Sequence, residues 1–156
     1  MTTHAMTMLP ASGVRAAIAR ALDVLGRFPP PLLQLMFRLA VASVFLKAGL
    51  IKIRSWETTV QLFADEYKVP VLSPDLAATM AATFELGCAT LLILGLGTRL
   101  ATLPLLGMIV VIQTLVYPNA YAEHLTWASI LLFLLTRGGG AWSLDKALGL
   151  EPEARR

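Results

Sequence analysis

Cysteine occurs once in this sequence, at Cys88, and histidine twice. A single thiol excludes an internal disulfide, a thiol redox pair and a cysteine-rich metal site, so Cys88 reads as a small packing residue. One histidine lies in the N-terminal tail and no His-x-x-x-His spacing occurs, so no metal site is expected. Charge is equally scarce, at 15% of 156 residues. No Gly/Ser linker, acidic tract or internal repeat suggests a separate soluble domain. The net charge of +3 comes from cations at the ends of apolar stretches, without the aromatic-interleaved basic patch of a nucleic-acid binder, and no nucleic acid is expected as a partner. The N-terminus lacks the basic, then apolar, then small pattern of a cleaved signal peptide.

What abounds is apolar: 56% of the residues are hydrophobic. Four stretches, Leu32 to Ile53, Leu76 to Gly97, Leu100 to Tyr117 and Tyr121 to Thr136, each approach the roughly 20 residues needed to cross a bilayer as a helix. The expected fold is therefore an all-α integral membrane protein, a bundle of four transmembrane helices occupying 32–148. Tails 1–31 and 149–156 flank it. Arg15, Arg20, Arg27, Arg99, Arg137, Lys146, Arg155 and Arg156 fall on one side, against Lys52, Arg54 and Lys68 on the other. By the positive-inside rule both termini are cytoplasmic.

Two further amphipathic segments are expected. Before the first span, Val14, Ile18, Ala21, Leu22, Leu25 and Phe28 recur at helical spacing with arginines mostly off that face, and Ser12 is placed to cap the start. This reads as a helix lying in the headgroup region, broken by the three prolines at 29–31. In the first periplasmic loop Trp56, Val60, Phe63 and Tyr67 share a helical face, with Ser55 as the expected cap. "GLGT" makes the second and third spans antiparallel neighbours, and Pro104 is expected in about the first turn of the third span.

Polar groups inside such spans carry the functional question. Arg38, Ala42, Phe45, Gly49 and Lys52 form one stripe of the first span. On the second, Glu85 is flanked at spacings of three and four by Ala78, Ala81, Ala82, Cys88 and Ala89, while Met80, Phe84, Leu91 and Leu94 lie opposite; the small face admits a neighbouring helix and turns Glu85 inward. A rise of about 1.5 Å per residue puts Arg38 roughly 9 Å, Glu85 roughly 18 Å and Gln113 roughly 20 Å from the cytoplasmic boundary. Glu85, Gln113 and His124 are then candidates for a polar cluster with Lys52 above and Arg38 below, although His124 reads first as an interfacial residue. A mid-bilayer carboxylate must be paired, protonated or hydrated. Arg38, with its fork of donors, is the preferred counter-ion and Lys52 the alternative.

"FRLAVASVFLKAGLIKI" (37–53), "FELGCATLLILGLGTRLATL" (84–103) and "GGGAWSLDKAL" (138–148) together resemble, in order and spacing, the three signature regions of the DoxX family of small bacterial inner-membrane proteins. The corresponding positions are Arg38, Gly49 with Lys52, Glu85, Gly95 with Thr98 and Arg99, and Ser143 to Asp145. Physically, Ser143 is placed as a helix N-cap and Trp142 as an interfacial anchor. The chain departs from the family pattern at Ala89 and in the unbroken glycines of "GGGAW". The resemblance implies a setting near quinone-linked or thiol and oxidative-stress redox chemistry, with quinone as a non-covalent ligand and partner oxidoreductase subunits.

Three functions follow from these residues: a quinone-engaging membrane subunit, a structural or assembly protein without chemistry, and a small-solute or proton transport component. Four spans make a narrow path, so transport calls for a homo-oligomer. A ligand site predicts an apolar pocket beside Glu85, whereas structural glue predicts a closed core with Glu85 bonded to Arg38 or Lys52.

Overall fold

Proline, serine and glycine punctuate the chain where its helices begin and end. The structure, a computed structural model, describes residues 13–151; the expected Ser12 cap, and Arg155 and Arg156, lie outside them. Helix α1, Gly13–Gly26, buries none of its residues. Val14, Ile18, Leu22 and Leu25, with Phe28 just beyond, stand exposed.

Pro29 is extended and α2 (Pro30–Arg54) opens on two prolines, where a missing N–H breaks no helical bond. Helix α3 (Trp56–Leu62) runs on as a π-helical turn, Phe63–Tyr67. The expected Ser55 cap does not form, because no free N-terminus exists there. Ser55 still donates its N–H to the Ile51 carbonyl as the C-cap of α2, and its side chain makes no capping bond. The hydroxyl of Thr59 instead donates to the Lys52 carbonyl at 3.1 Å. Helix α4 (Pro74–Leu94) is capped by Ser73, which accepts from Leu76 N–H. Helix α5 (Thr98–Val111) ends in a second π-helical turn, Ile112–Val116. It starts two residues earlier than the hydrophobicity suggests, so Pro104 lies inside it, past the first turn. Helix α6 (Tyr121–Arg137) and the short α7 (Leu144–Ala147) complete the described chain.

Four of these helices share one apolar core: Val41 and Phe45 from α2, Ala89 and Leu92 from α4, Leu105 and Ile109 from α5, and Leu131 and Leu134 from α6. The most extensive helix pair is α2 against α4. Its closeness depends on small residues: a β-carbon at Gly49 would lie 2.8 Å from Leu86 Cγ and 3.1 Å from Glu85 Cβ. On α4, Ala78, Ala82 and Ala89 are buried while Met80, Phe84 and Leu94 are exposed. A smaller cluster packs Phe63, with Trp56, Val60 and Tyr67, against Ala77 and Ala78 at the start of α4. The segment α3 to Tyr67 therefore covers that end of the α2/α4 pair.

The outside of this assembly is apolar too, with Leu39, Phe84, Leu94, Leu100, Val110 and Leu132 exposed. By length and composition α4 and the continuous segment Thr98–Val116 suffice to cross a membrane. Helix α2 has 25 residues and carries Arg38, Lys47 and Lys52, and α6 has 17.

Replacing Gly49 with leucine should force α2 from α4 and destabilise the protein by about 1–3 kcal/mol, the usual cost of overpacking. Thermal unfolding in detergent reads this directly, and an unchanged melting temperature would show that the seam is not closely packed.

Candidate functional site

Helix register decides which cation meets Glu85. Gly49 stands level with Glu85, and Lys52, one turn further along α2, reaches over to it: Nζ lies 2.7 Å from Oε1. Glu85 is 3% exposed. The preferred pairing with Arg38 is therefore incorrect. Arg38 lies beside Gly95 at the far end of α4, and ten residues of helix separate Gly95 from Glu85 by about 15 Å. Setting Leu32 of the first span level with Gly97 of the second leaves Arg38 and Glu85 only about 9 Å apart in height, which is too close.

Beside the Lys52–Glu85 pair is a cavity of about 290 Å³, near the lower end of the roughly 300–1,000 Å³ typical of ligand pockets. It lies between α4, α5 and the cover that follows α3. Its walls are apolar, among them Phe63, Leu72, Met80, Phe84, Met108 and Val116. Pro104 and Gly107 of α5 also line it, and a β-carbon at Gly107 would meet nothing within 4 Å. Two phenols complete the lining: the rings of Tyr67 and Tyr117 meet edge to face at 6.0 Å. Tyr117 donates to Glu66 Oε1 at 3.3 Å. Burial, reinforced by the neighbouring Tyr117 phenol and the Glu66 and Glu85 carboxylates, pushes the Tyr67 phenol well above the ordinary tyrosine range. The cavity thus offers an apolar volume, an ion pair on one wall and two tyrosine hydroxyls on another.

Gln113 and His124 form a second, separate polar pair. Gln113 Nε2 donates to the Pro118 carbonyl at 2.7 Å, which turns its Oε1 toward His124 Nδ1, also at 2.7 Å. In that orientation the bond to Gln113 calls for a proton on His124 Nδ1. His124 packs on Trp127 at 5.4 Å and is 4% exposed, so it is a buried residue rather than an interfacial one. Neither Gln113 nor His124 lines the cavity, and among the described residues no hydrogen bond joins them to Glu85. The expected three-residue cluster divides in two because Gln113 turns toward α6.

The remaining motif residues gather at the opposite end. Arg38 Nη2 donates to the Trp142 carbonyl at 2.6 Å, with Asp145 and Glu151 supplying nearby negative charge. The Asp145 carboxylate accepts from Gly97 N–H at 2.6 Å and Thr98 N–H at 2.9 Å, capping α5, while Asp145 N–H returns a bond to the Gly95 carbonyl. Arg99 Nη1 donates to the Leu135 and Thr136 carbonyls, both at 2.8 Å, at the end of α6. Ser143 accepts from Lys146 N–H to cap α7 and donates to the Gly140 carbonyl. Gly95 holds φ +69°, and any β-carbon there would collide with Arg38 Nη1. Arg38, Gly95, Thr98, Arg99, Ser143 and Asp145 are thus one clasp, remote from the cavity, tying the C-terminal segment to the α4–α5 turn.

The sequence reading left an apolar pocket beside Glu85 as one of two alternatives, and missed the pairing of Tyr67 with Tyr117 and Asp145 as the cap of a helix nearly fifty residues away. The only advance signals were Tyr67 on the amphipathic face of the loop and the bulky residues either side of Glu85.

A family model described as DoxX matches residues 33–118, more than half of the chain. No curated protein and no solved structure matches it. The matched region runs from α2 beyond the end of the π-helical turn of α5, and so includes Arg38, Lys52, Glu85 and Gln113.

Breaking the buried pair from one side, with Lys52→Met or Glu85→Leu, should cost about 3–5 kcal/mol, whereas the double substitution should cost much less than the sum. Unfolding of the four proteins of this cycle checks it; strict additivity would show no coupling. For Tyr67 the sign is set by a raised folded-state value: its contribution to stability is complete below about pH 10, where an unfolded tyrosine titrates, and is lost as pH climbs toward the folded value. Tyr67→Phe should accordingly flatten the alkaline fall in melting temperature above about pH 10.

Proposed function

The chain belongs to the DoxX family, a family of membrane proteins, and on that premise we propose that it binds a lipid-soluble ligand of the quinone class at the cavity beside Lys52 and Glu85. In this reading it is a membrane subunit or accessory of a quinone-linked or thiol and oxidative-stress redox system, and the electrons come from a partner oxidoreductase. The carrying observation is a mostly apolar cavity with one buried ion pair in its wall. Apolar walls with a few convergent polar groups are what a ring carrying polar oxygens and an aliphatic tail requires. Met80, Phe84 and Val111 line the cavity and are also exposed on the outer surface, which favours tail exit sideways between α4 and α5.

The setting we propose is a bacterial inner membrane crossed four times, by α2, α4, α5 and α6, with the clasp end cytoplasmic. The distribution of Lys and Arg supports that orientation. Helix α1, with its unpartnered apolar face and Arg15, Arg20 and Arg27, would lie along the headgroups. The alternative is a structural or assembly role, which draws support from the direct Lys52–Glu85 bond.

A decyl-tailed benzoquinone and its hydroquinone, added to the protein in detergent, test the two. Ligand binding predicts that at least one redox form raises the melting temperature and that Gly107→Leu, which fills open space, removes the shift while leaving the unliganded protein as stable as before. No shift with either form would leave only the structural role.

A further inference from the structure

We propose that the cavity selects the reduced, hydroxyl-bearing form of its ligand, a hydroquinone or related phenol, over the oxidised quinone. This rests on the ligand-binding reading above and goes further by naming the head group.

The argument is an accounting of donors and acceptors at the polar wall. Lys52 Nζ donates to Glu85 Oε1. Glu85 Oε2 is buried and has no hydrogen-bond partner among the described residues. A paired carboxylate is purely an acceptor, and an ammonium purely a donor with three N–H groups. The pair therefore lacks a donor at Oε2, while Lys52 has N–H groups beyond the one given to Oε1.

A phenolic hydroxyl matches both. Its O–H donates to the carboxylate and its oxygen lone pairs accept from Lys52. A quinone carbonyl accepts only; it takes a bond from Lys52 but leaves Oε2 unpaired and sets two electronegative oxygens against each other. Sites built to bond a hydroxyl discriminate strongly against analogues that lack it, because the buried group stays unsatisfied. Access needs little rearrangement: Glu85 already forms part of the cavity wall, and the terminal torsion of a glutamate is broad and nearly two-fold. A partial turn about that bond brings the unbonded oxygen toward the cavity while the other stays within reach of Lys52 Nζ. Tyr117 does not supply the missing donor, since its hydroxyl is given to Glu66.

A redox consequence follows. Tenfold tighter binding of the reduced form makes the bound two-electron couple about 30 mV more oxidising than the free one. Such a site holds the product of quinone reduction, as suits an acceptor of electrons from a partner.

The experiment compares three probes on the full chain in detergent by calorimetric titration: a decyl-tailed benzoquinone, its hydroquinone kept reduced under argon, and 4-decylphenol, which has a hydroxyl but no redox chemistry. The proposal expects hydroquinone and phenol to bind at least tenfold more tightly than quinone, about 1.4 kcal/mol. Glu85→Gln should shrink that ratio severalfold, and Gly107→Leu should weaken all three probes together. Ratios within one protein are insensitive to its stability, and the wild-type ratio alone decides if Glu85→Gln fails to fold. Quinone binding as tightly as hydroquinone overturns the inference while leaving the cavity reading in place. If none of the three binds, both fall.

Discussion

A carboxylate that is 3% exposed in a seam of alanines cannot stay charged without a cation, and the arrangement of this protein turns on how that cation arrives. Lys52 comes from the last turn of α2 and Glu85 from the middle of α4. Their bond therefore holds a particular longitudinal offset of the two helices. Gly49 makes the offset sterically available by removing the side chain that would strike Leu86 and Glu85. With α4 projecting past the end of α2, its first turns require another cover, and the segment carrying Phe63 and Tyr67 supplies it. The cavity is left where that cover meets α5.

The same offset explains the division of polar residues between two ends. Arg38, on the same stripe of α2 as Lys52, ends up beside Gly95, where its guanidinium bonds a backbone carbonyl rather than a carboxylate. There Asp145 spends its two oxygens on the N–H groups that open α5, and Arg99 takes two carbonyls at the close of α6. These are the unpaired backbone groups every helix end presents, and inside a low-dielectric protein they are costly to leave bare. The motif charges at this end satisfy helix termini; those at the other end bound a cavity.

Periodicity made much of this legible in advance. The inward face of α4 could be read from Ala78, Ala82, Cys88 and Ala89, and the stripe Arg38 to Lys52 from spacing alone, because a helix maps sequence onto angle with little ambiguity. Angle is not height, however. Register between two helices depends on where each begins relative to the other, which no local pattern encodes; that is why sequence alone favours Arg38 over Lys52 as the counter-ion. Longer-range closures were invisible for a related reason. Asp145 reaches Gly97, and Gln113 reaches His124, through the topology of the folded chain. Ser55 misled differently: a serine ahead of an amphipathic run is a reasonable cap, but only where the preceding helix has released its backbone.

Stability and ligand binding at Glu85 are not rival explanations of one residue. A paired carboxylate has two oxygens, and only one is needed to hold α2 to α4. A purely structural role is also met by apolar packing, since buried ion pairs give little net stability over well-packed hydrocarbon. Here one oxygen remains unbonded among the described residues, next to an apolar volume that Gly107, Tyr67 and Tyr117 line. Retaining a buried charge, with half of its hydrogen-bonding capacity unspent, beside unfilled space makes sense if the missing donor comes from the ligand.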